Sequence, residues 1–391
     1  MTSKSPFNRI VLMVLDSVGI GEMPDAADYG DLGADTLGHV LASREVHIPH
    51  LRQIGLGNIR SLPVNPVQTP NGVFGKAATA SRGKDTTTGH WEIGGIITEQ
   101  PFPTYPNGFP PRVIEQFERA IGRTVLGNKA ASGTEIIQEL GEQHLRTGRP
   151  IVYTSADSVF QIAAHEGVVP LEQLYQWCEA ARKQLSGEDE VGRVIARPFS
   201  GEAGNFRRTE GRKDYAIDPP EDTLLDRLKS DGLAVAAVGK IGSIFCHRGP
   251  TREFKAANNN ASVDQTLRAL DSTGRGLIFT NLVDFDMLYG HRNDVEGYAR
   301  ALEEFDLRLP QIQAAMVEDD LLILSADHGC DPGDISTDHT REYVPVIGWG
   351  HRVRAGVDLG VRSSLADIGQ TVAENFGFRL QAGCSFLEEI S

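Results

Sequence analysis

Five short runs of this chain, Ile10–Leu15, Leu233–Val238, Gly276–Leu282, Leu321–Leu324 and Val344–Trp349, are nearly continuously apolar and rich in β-branched residues. Such strands have no polar face to offer to water, so they are predicted as buried parallel strands covered on both sides. Helical stripes lie between them. Leu302, Phe305, Leu309, Ile312 and Met316 repeat at 3-4-3-4 spacing, with Pro310 predicting a kink or a break. Leu365, Ile368, Val372 and Phe376 form a second stripe, and Ser364 with Asp367 resembles a capping box at its start. Strands alternating with helices imply an α/β protein built on a layered, mostly parallel sheet.

A chain of 391 residues exceeds what one hydrophobic core usually holds. Two proline clusters, Pro101 to Pro111 and Pro219 with Pro220, interrupt the alternation, and prolines stop helices and stiffen connections. They predict a core made of residues 1–100 and 220–391, with a smaller α/β cap domain, 101–219, inserted between and free to move against it. Within the insertion, Leu171, Leu174, Tyr175 and Cys178 predict a helix and Ile151 to Tyr153 a strand.

The formal net charge of −15 argues against a general nucleic-acid or acidic-membrane partner, since both require a basic surface. An anionic substrate would need metals and a few local cations to hold it. The four cysteines, Cys178, Cys246, Cys330 and Cys384, form no C-x-x-C pair and fit a reducing compartment. The first apolar run is too short for a signal peptide, and none approaches the roughly 20 residues of a membrane span. A cytoplasmic location is expected; oligomeric state is not legible.

Acidic and histidine residues follow three of the predicted strands: Asp16; Asp284 and Asp286 with His291; and Asp327 with His328. The segment S-T-D-H-T adds His339. Ligands of open α/β sheets bind beyond the carboxyl ends of the strands, so these groups can converge. Carboxylates with imidazoles suit manganese or zinc, and two ions can stabilise both the attacking and the leaving oxygen of an in-line phosphoryl transfer. Any one strand-end aspartate could equally cap the next helix. The conjunction is what points to metal.

The segment G-K-D-T-T-T-G-H-W-E, Gly83 to Glu92, sets three hydroxyls beside an aspartate and a histidine. It reads as a loop entering a helix whose first amides favour a phosphate. A threonine becomes a competent nucleophile when a metal ion coordinates its hydroxyl. Taken alone, the segment would be a threonine-rich turn that caps a helix.

Together with V-L-D-S-V-G-I-G-E, G-A-D-T-L-G-H, Y-T-S-A-D-S-V-F-Q, V-D-F-D-M-L-Y-G-H-R, S-A-D-H-G-C-D-P and S-T-D-H-T-R-E-Y-V-P, these residues resemble the phosphopentomutases, a branch of the alkaline phosphatase superfamily. The resemblance implies an alkaline-phosphatase-like core with an inserted cap and two Mn2+ ions. Asp16, Asp327 and His328 would hold one ion, and Asp286, His291 and His339 the other. It further implies Thr86 as the phosphorylated residue, Asp157 as a sugar contact, Arg193 and Arg208 as the clamp on the distal phosphate, and Lys240 as a further phosphate contact. Two arginines also suit a bidentate phosphate grip on physical grounds. The implied reaction interconverts ribose 1-phosphate, or deoxyribose 1-phosphate, with the 5-phosphate through a phosphothreonine enzyme and a bisphosphate, with glucose 1,6-bisphosphate as an activator. The chain departs from the family where it reads G-K-I-G-S-I-F, placing Ser243 where a carboxylate is usual. A metal-dependent phosphatase on the same scaffold would use the same residues, and a non-catalytic phosphosugar sensor would keep the pocket. A water-excluding cap favours the mutase, and a full ligand set with Thr86 disfavours the sensor.

Overall fold

A computed structural model describes residues 5–155 and 157–391. They form two compact units, one from the described chain up to Pro101 together with Pro219–Ser391, the other from Phe102–Asp218.

The first unit is organised on eight strands in the spatial order Arg252–Phe254, Ala234–Val238, Gly276–Leu282, Arg9–Leu15, Asp320–Ser325, Val344–Trp349, Val73–Ala77 and Asp358–Arg362. The first five run parallel. Every residue of the three central strands is buried, which accounts for their apolar composition. Leu15 pairs with Leu282 and Val14 with Ser325, so the three strands end level with one another. At their opposite end Arg9 and Asp320 are register partners joined by two charged hydrogen bonds of 3.1 and 2.6 Å. Arg9 also donates to the Leu270 and Thr273 carbonyls, so its buried charge is fully partnered.

Three local expectations are corrected. Val344–Trp349 is buried, but it runs antiparallel to both neighbours rather than parallel. No helical crossover separates it from Asp320–Ser325, so the connection returns along the same sheet edge, as an antiparallel pair allows. The helix Val295–Ala315 continues unbroken through Pro310, because Leu302, Phe305, Leu309 and Ile312 are buried on both sides of the proline. Ser364 and Asp367 form no capping box. Ser364 donates to Glu92, while Asp367 accepts from Arg362 and from the Cys384 amide. A capping box does occur at Thr223 and Asp226, opening the helix Leu224–Ser230.

The second unit carries a mixed sheet in the order Leu126–Ala130, Ile151–Thr154, Val159–His165, Arg193–Ser200 and Arg207–Arg208, with Lys213–Ala216 also pairing to Arg193–Ser200. Phe109, Phe117, Phe160 and Trp177 pack in one core of this unit, and Leu126, Ile136, Tyr153 and Phe199 in another. All four cysteines are free thiols, and no helix among the described residues is long and apolar enough to cross a membrane.

In the first unit Glu92 holds the helix Thr86–Ile93 to its surroundings. It is fully buried and accepts from the Ala80 and Ser81 amides at 2.8 and 2.7 Å, the Ser364 hydroxyl at 2.7 Å and the Leu365 amide at 2.9 Å. Glu92→Ala strands four donors without water. A loss of about 4 kcal/mol in unfolding free energy is expected from denaturant titration; a loss under about 1 kcal/mol would show that the donors find other partners.

Candidate active site

The site is built where the central parallel strands end. Beyond Asp16 the chain turns through Ser17 at φ 73°, a left-handed conformation costing a non-glycine residue about 1 kcal/mol or more. The turn aims the Ser17 amide at Asp327 Oδ1, 3.1 Å away. Asp286 lies in a single π-helical turn, Phe285–Tyr289, and His291 in the tight turn Gly290–Arg292 that follows. Asp327 and His328 follow Asp320–Ser325, and His339 precedes Val344–Trp349.

All six expected ligands converge. His328 Nε2 lies 3.6 Å from Asp16 Oδ1 and 3.3 Å from Asp327 Oδ2. Asp286 lies 3.3 Å from the Nε2 atoms of both His291 and His339, which are 3.1 Å from each other. The His328 and His339 rings, 3.9 Å apart between centroids, link the two groups. Asp284 stands apart and accepts from the Asn259 amide at 2.8 Å.

Hydrogen bonds behind the rings orient them. His328 Nδ1 is 3.0 Å from the Gly329 carbonyl and His291 Nδ1 is 2.7 Å from the Thr337 carbonyl, so each Nδ1 carries a proton and Nε2 faces the carboxylates. Among the described residues, Asp16 Oδ1, Asp286 Oδ1 and Asp327 Oδ2 are buried with no hydrogen-bond partner. Burial, and then the neighbouring Asp327 and Asp286 carboxylates, push Asp16 up to about 8. Against the cost of burial, bonds to Asp286 and Cys330 push His291 up to about 12, so a proton binds where the chain offers a place for a cation. Orphaned carboxylate oxygens facing imidazole nitrogens fit divalent metal ions. Asp16, Asp327 and His328 form one candidate group; Asp286 joins His328 with His339, or His291 with Cys330, in others.

Thr86 opens the helix Thr86–Ile93, whose N-cap Asp85 accepts from the Thr88 amide and hydroxyl at 3.1 and 2.6 Å. Thr88 is thereby occupied and Thr87 is buried. The Thr86 hydroxyl lies 3.2 Å from His328 Nε2. Gly89 permits that approach: a Cβ there would stand 2.2 Å from the Asp327 carbonyl oxygen. Lys240 follows Ala234–Val238 and is near enough to lower the titration of both Asp16 and Asp284, although burial outweighs it at each. Ser243 is exposed, and its hydroxyl donates to the Lys240 carbonyl, 2.8 Å.

The remaining expected residues belong to the second unit. Arg193 lies 3.5 Å from Asp157 and 3.8 Å from Asp214. Arg208 is exposed, and an added Cβ on Gly133 would meet both its guanidinium and the Tyr153 hydroxyl. Sequence reasoning missed the company these two keep. Burial, and then Arg212 beside it, push Arg197 down to about 10, and the buried Tyr153 hydroxyl lies close to the Arg208 guanidinium. It also missed Ser17, Asn281 and the contacts of His90, which carry no motif signal apart from the i, i+4 spacing of Thr86 and His90.

Residues 8–380 match the Metalloenzyme superfamily, and fold and site together define an alkaline-phosphatase-like metalloenzyme. The chain is 57% identical to the phosphopentomutase of Desulfitobacterium hafniense over 385 residues, covering 98% of this chain and 99% of that one. It is 56% identical to the phosphopentomutase of Caldanaerobacter subterraneus over 384 residues, 98% of both chains. It therefore belongs to the phosphopentomutase family and is an isomerase of the intramolecular phosphotransferase kind. The solved PH0037 protein of Pyrococcus horikoshii shares the fold, with a TM-score of 0.51 at 14% identity over 97% of this chain and 100% of that one.

Glu342 stabilises the loop that carries His339. It is buried and accepts from the Gly21 and Thr36 amides at 3.0 and 2.9 Å and from the Thr36 and Thr340 hydroxyls, both at 2.6 Å. Burial pushes it from 4.5 up to about 7, against the pull of those donors. The folded value exceeds the unfolded one, so stability is fullest below pH 4.5 and falls as pH rises through 7. In Glu342→Gln, the amide oxygen can accept both backbone bonds and the nitrogen can donate to both hydroxyls. Metal-free wild type should lose about 3 kcal/mol relative to this variant between pH 4 and 8; parallel pH–stability curves would contradict the assignment.

Proposed function

We propose that the chain interconverts ribose 1-phosphate, or deoxyribose 1-phosphate, with the corresponding 5-phosphate, using Thr86 as the phosphoryl carrier. The observation that carries this reading is the Thr86 hydroxyl, 3.2 Å from His328 Nε2 at the rim of a cluster whose donor atoms suit a cation. The names borne by the relatives point to the same substrates.

Two manganese ions fit the donor set, Asp16, Asp327 and His328 holding one and Asp286, His291 and His339 the other. When bound they supply Lewis-acid stabilisation of the charge on the transferring group. Helix amides beginning at Thr86 add donors that favour a phosphate at this hydroxyl. Arg193 and Arg208 grip the phosphate that does not react, Asp157 accepts from a sugar hydroxyl, and Lys240 adds positive charge.

The cycle starts with phosphorylated Thr86. A free hydroxyl of the pentose monophosphate attacks phosphorus as the bond from phosphorus to the Thr86 oxygen breaks, and the proton of the attacking hydroxyl ends on the Thr86 oxygen, giving a bisphosphate. That bisphosphate turns end for end and returns its other phosphoryl group to Thr86. Loss of the bisphosphate leaves an unphosphorylated enzyme, so glucose 1,6-bisphosphate acts as an activator by restoring phosphothreonine.

Chelation should abolish turnover, and manganese should restore it better than magnesium because imidazole ligation suits manganese; undiminished activity in metal-free protein would sink the metal assignment. Thr86→Ala should keep its fold and metal content yet take up no phosphoryl group from glucose 1,6-bisphosphate. Intact-protein mass followed by peptide mapping reads this directly. Phosphate on Thr87 or Thr88 would move the nucleophile, and rapid turnover by Thr86→Ala would refute covalent transfer.

A further inference from the structure

We infer that His90 and Asn281 form a positioning pair that fixes the nucleophile's helix against the Asp16 and Asp327 carboxylates. Both side chains are fully buried. His90 lies four residues beyond Thr86, one helical turn on. Its Nδ1 is 2.9 Å from the Thr86 carbonyl oxygen and 3.1 Å from Asp327 Oδ2. Its Nε2 is 3.3 Å from Asn281 Nδ2, which is also 3.0 Å from Asp16 Oδ2. Phe279 stacks beside the imidazole, with centroids 5.9 Å apart and planes inclined by 26°.

The chemistry of these atoms fixes every role. The Asn281 amide nitrogen lies 3.0 Å from Asp16 Oδ2, and with a cation in the cluster Asp16 is a carboxylate that only accepts, so that nitrogen must face Asp16 and the amide oxygen must point away. That nitrogen is then the group presented to His90 Nε2, which can only be an acceptor. The ring proton therefore sits on Nδ1 and is donated to the Thr86 carbonyl, with Asp327 Oδ2 3.1 Å from the same nitrogen as a close charge partner. With its Nε2 lone pair engaged by Asn281, His90 is not a metal ligand. It joins the backbone of the nucleophile to one carboxylate directly and to a second through Asn281, so the Thr86 hydroxyl and the ligand cluster keep one mutual position. His90 is a positioning residue, acting through Thr86 and Asp327 without touching the sugar.

The inference builds on Thr86 as nucleophile, but its first test does not depend on that reading. Nitrogen NMR of protein labelled with 15N-histidine and loaded with diamagnetic magnesium should show His90 as the neutral Nδ1–H tautomer. An Nε2–H tautomer, or an imidazolium, would overturn the pair. The second test separates positioning from packing. His90→Phe keeps a ring beside Phe279 but donates nothing, and it should lower kcat by about 100-fold with KM for ribose 5-phosphate little changed. His90→Asn places an amide N–H where Nδ1 stood and should recover most of that loss. Equal impairment of the two variants, or wild-type kcat in His90→Phe, would reduce His90 to a space-filling side chain. Should phosphate map to another threonine while the tautomer is confirmed, the mutual fixing of helix and carboxylates stands and the choice of nucleophile falls.

Discussion

The in-register pairing of Arg9–Leu15 with Gly276–Leu282 and Asp320–Ser325 is the constraint on which the rest of the site depends. Because the three strands end level, Asp16, Asp286 and Asp327 are delivered to one edge, where burial and the neighbouring carboxylates make the negative charge of Asp16 costly while histidines favour that of Asp286 and Asp327. A slip of one residue would turn each strand's side chains to the opposite face and scatter the cluster. The Arg9–Asp320 pair at the far end opposes that slip, since moving either partner would leave an uncompensated buried charge. On the proposed reading, the cost concentrated at Asp16 is relieved when a cation binds, which would tie metal affinity to folding stability.

A second element, the helix that opens on Thr86, must also reach this edge. The helix Thr86–Ile93 is brought to it by Gly89, which lets the backbone pass against Asp327, and is secured from behind by the four bonds to Glu92. Asp85 caps the helix and occupies the Thr88 hydroxyl, leaving Thr86 as the hydroxyl that meets His328. Three adjacent threonines thus acquire different roles through helix geometry alone. Catalytic power in such a site comes mainly from preorganisation, and short, buried, mutually braced contacts supply it.

Much of this was readable from residue order. The five apolar runs are strands, and the six clustered acids and imidazoles meet, because strand ends in an α/β sheet are the one place where distant motifs converge. What could not be read was anything decided by three-dimensional partnership. Val344–Trp349 has the same composition as a parallel strand, and only the helix-free connection before it sets its direction. Ser364 and Asp367 have the spacing of a capping box, but Glu92, some 270 residues earlier in the chain, claims Ser364 first. Asn281 is a lone polar residue in an apolar strand; its purpose becomes visible only when Asp16 and His90 lie beside it. In the second unit, Arg193 and Arg208 stood out through family resemblance, whereas Arg197, Arg212 and Tyr153 emerge from burial and proximity.

The central claim is that phosphoryl groups pass between the two ends of a pentose and not to water. Phosphorus NMR tests this most directly. The manganese-loaded, phosphorylated protein is incubated with ribose 1-phosphate, and the metal is removed by chelation before the spectrum is recorded. The account predicts that the 1-phosphate resonance gives way to that of ribose 5-phosphate, with total sugar phosphate conserved. Inorganic phosphate accumulating in place of the 5-phosphate would contradict it and make the protein a hydrolase.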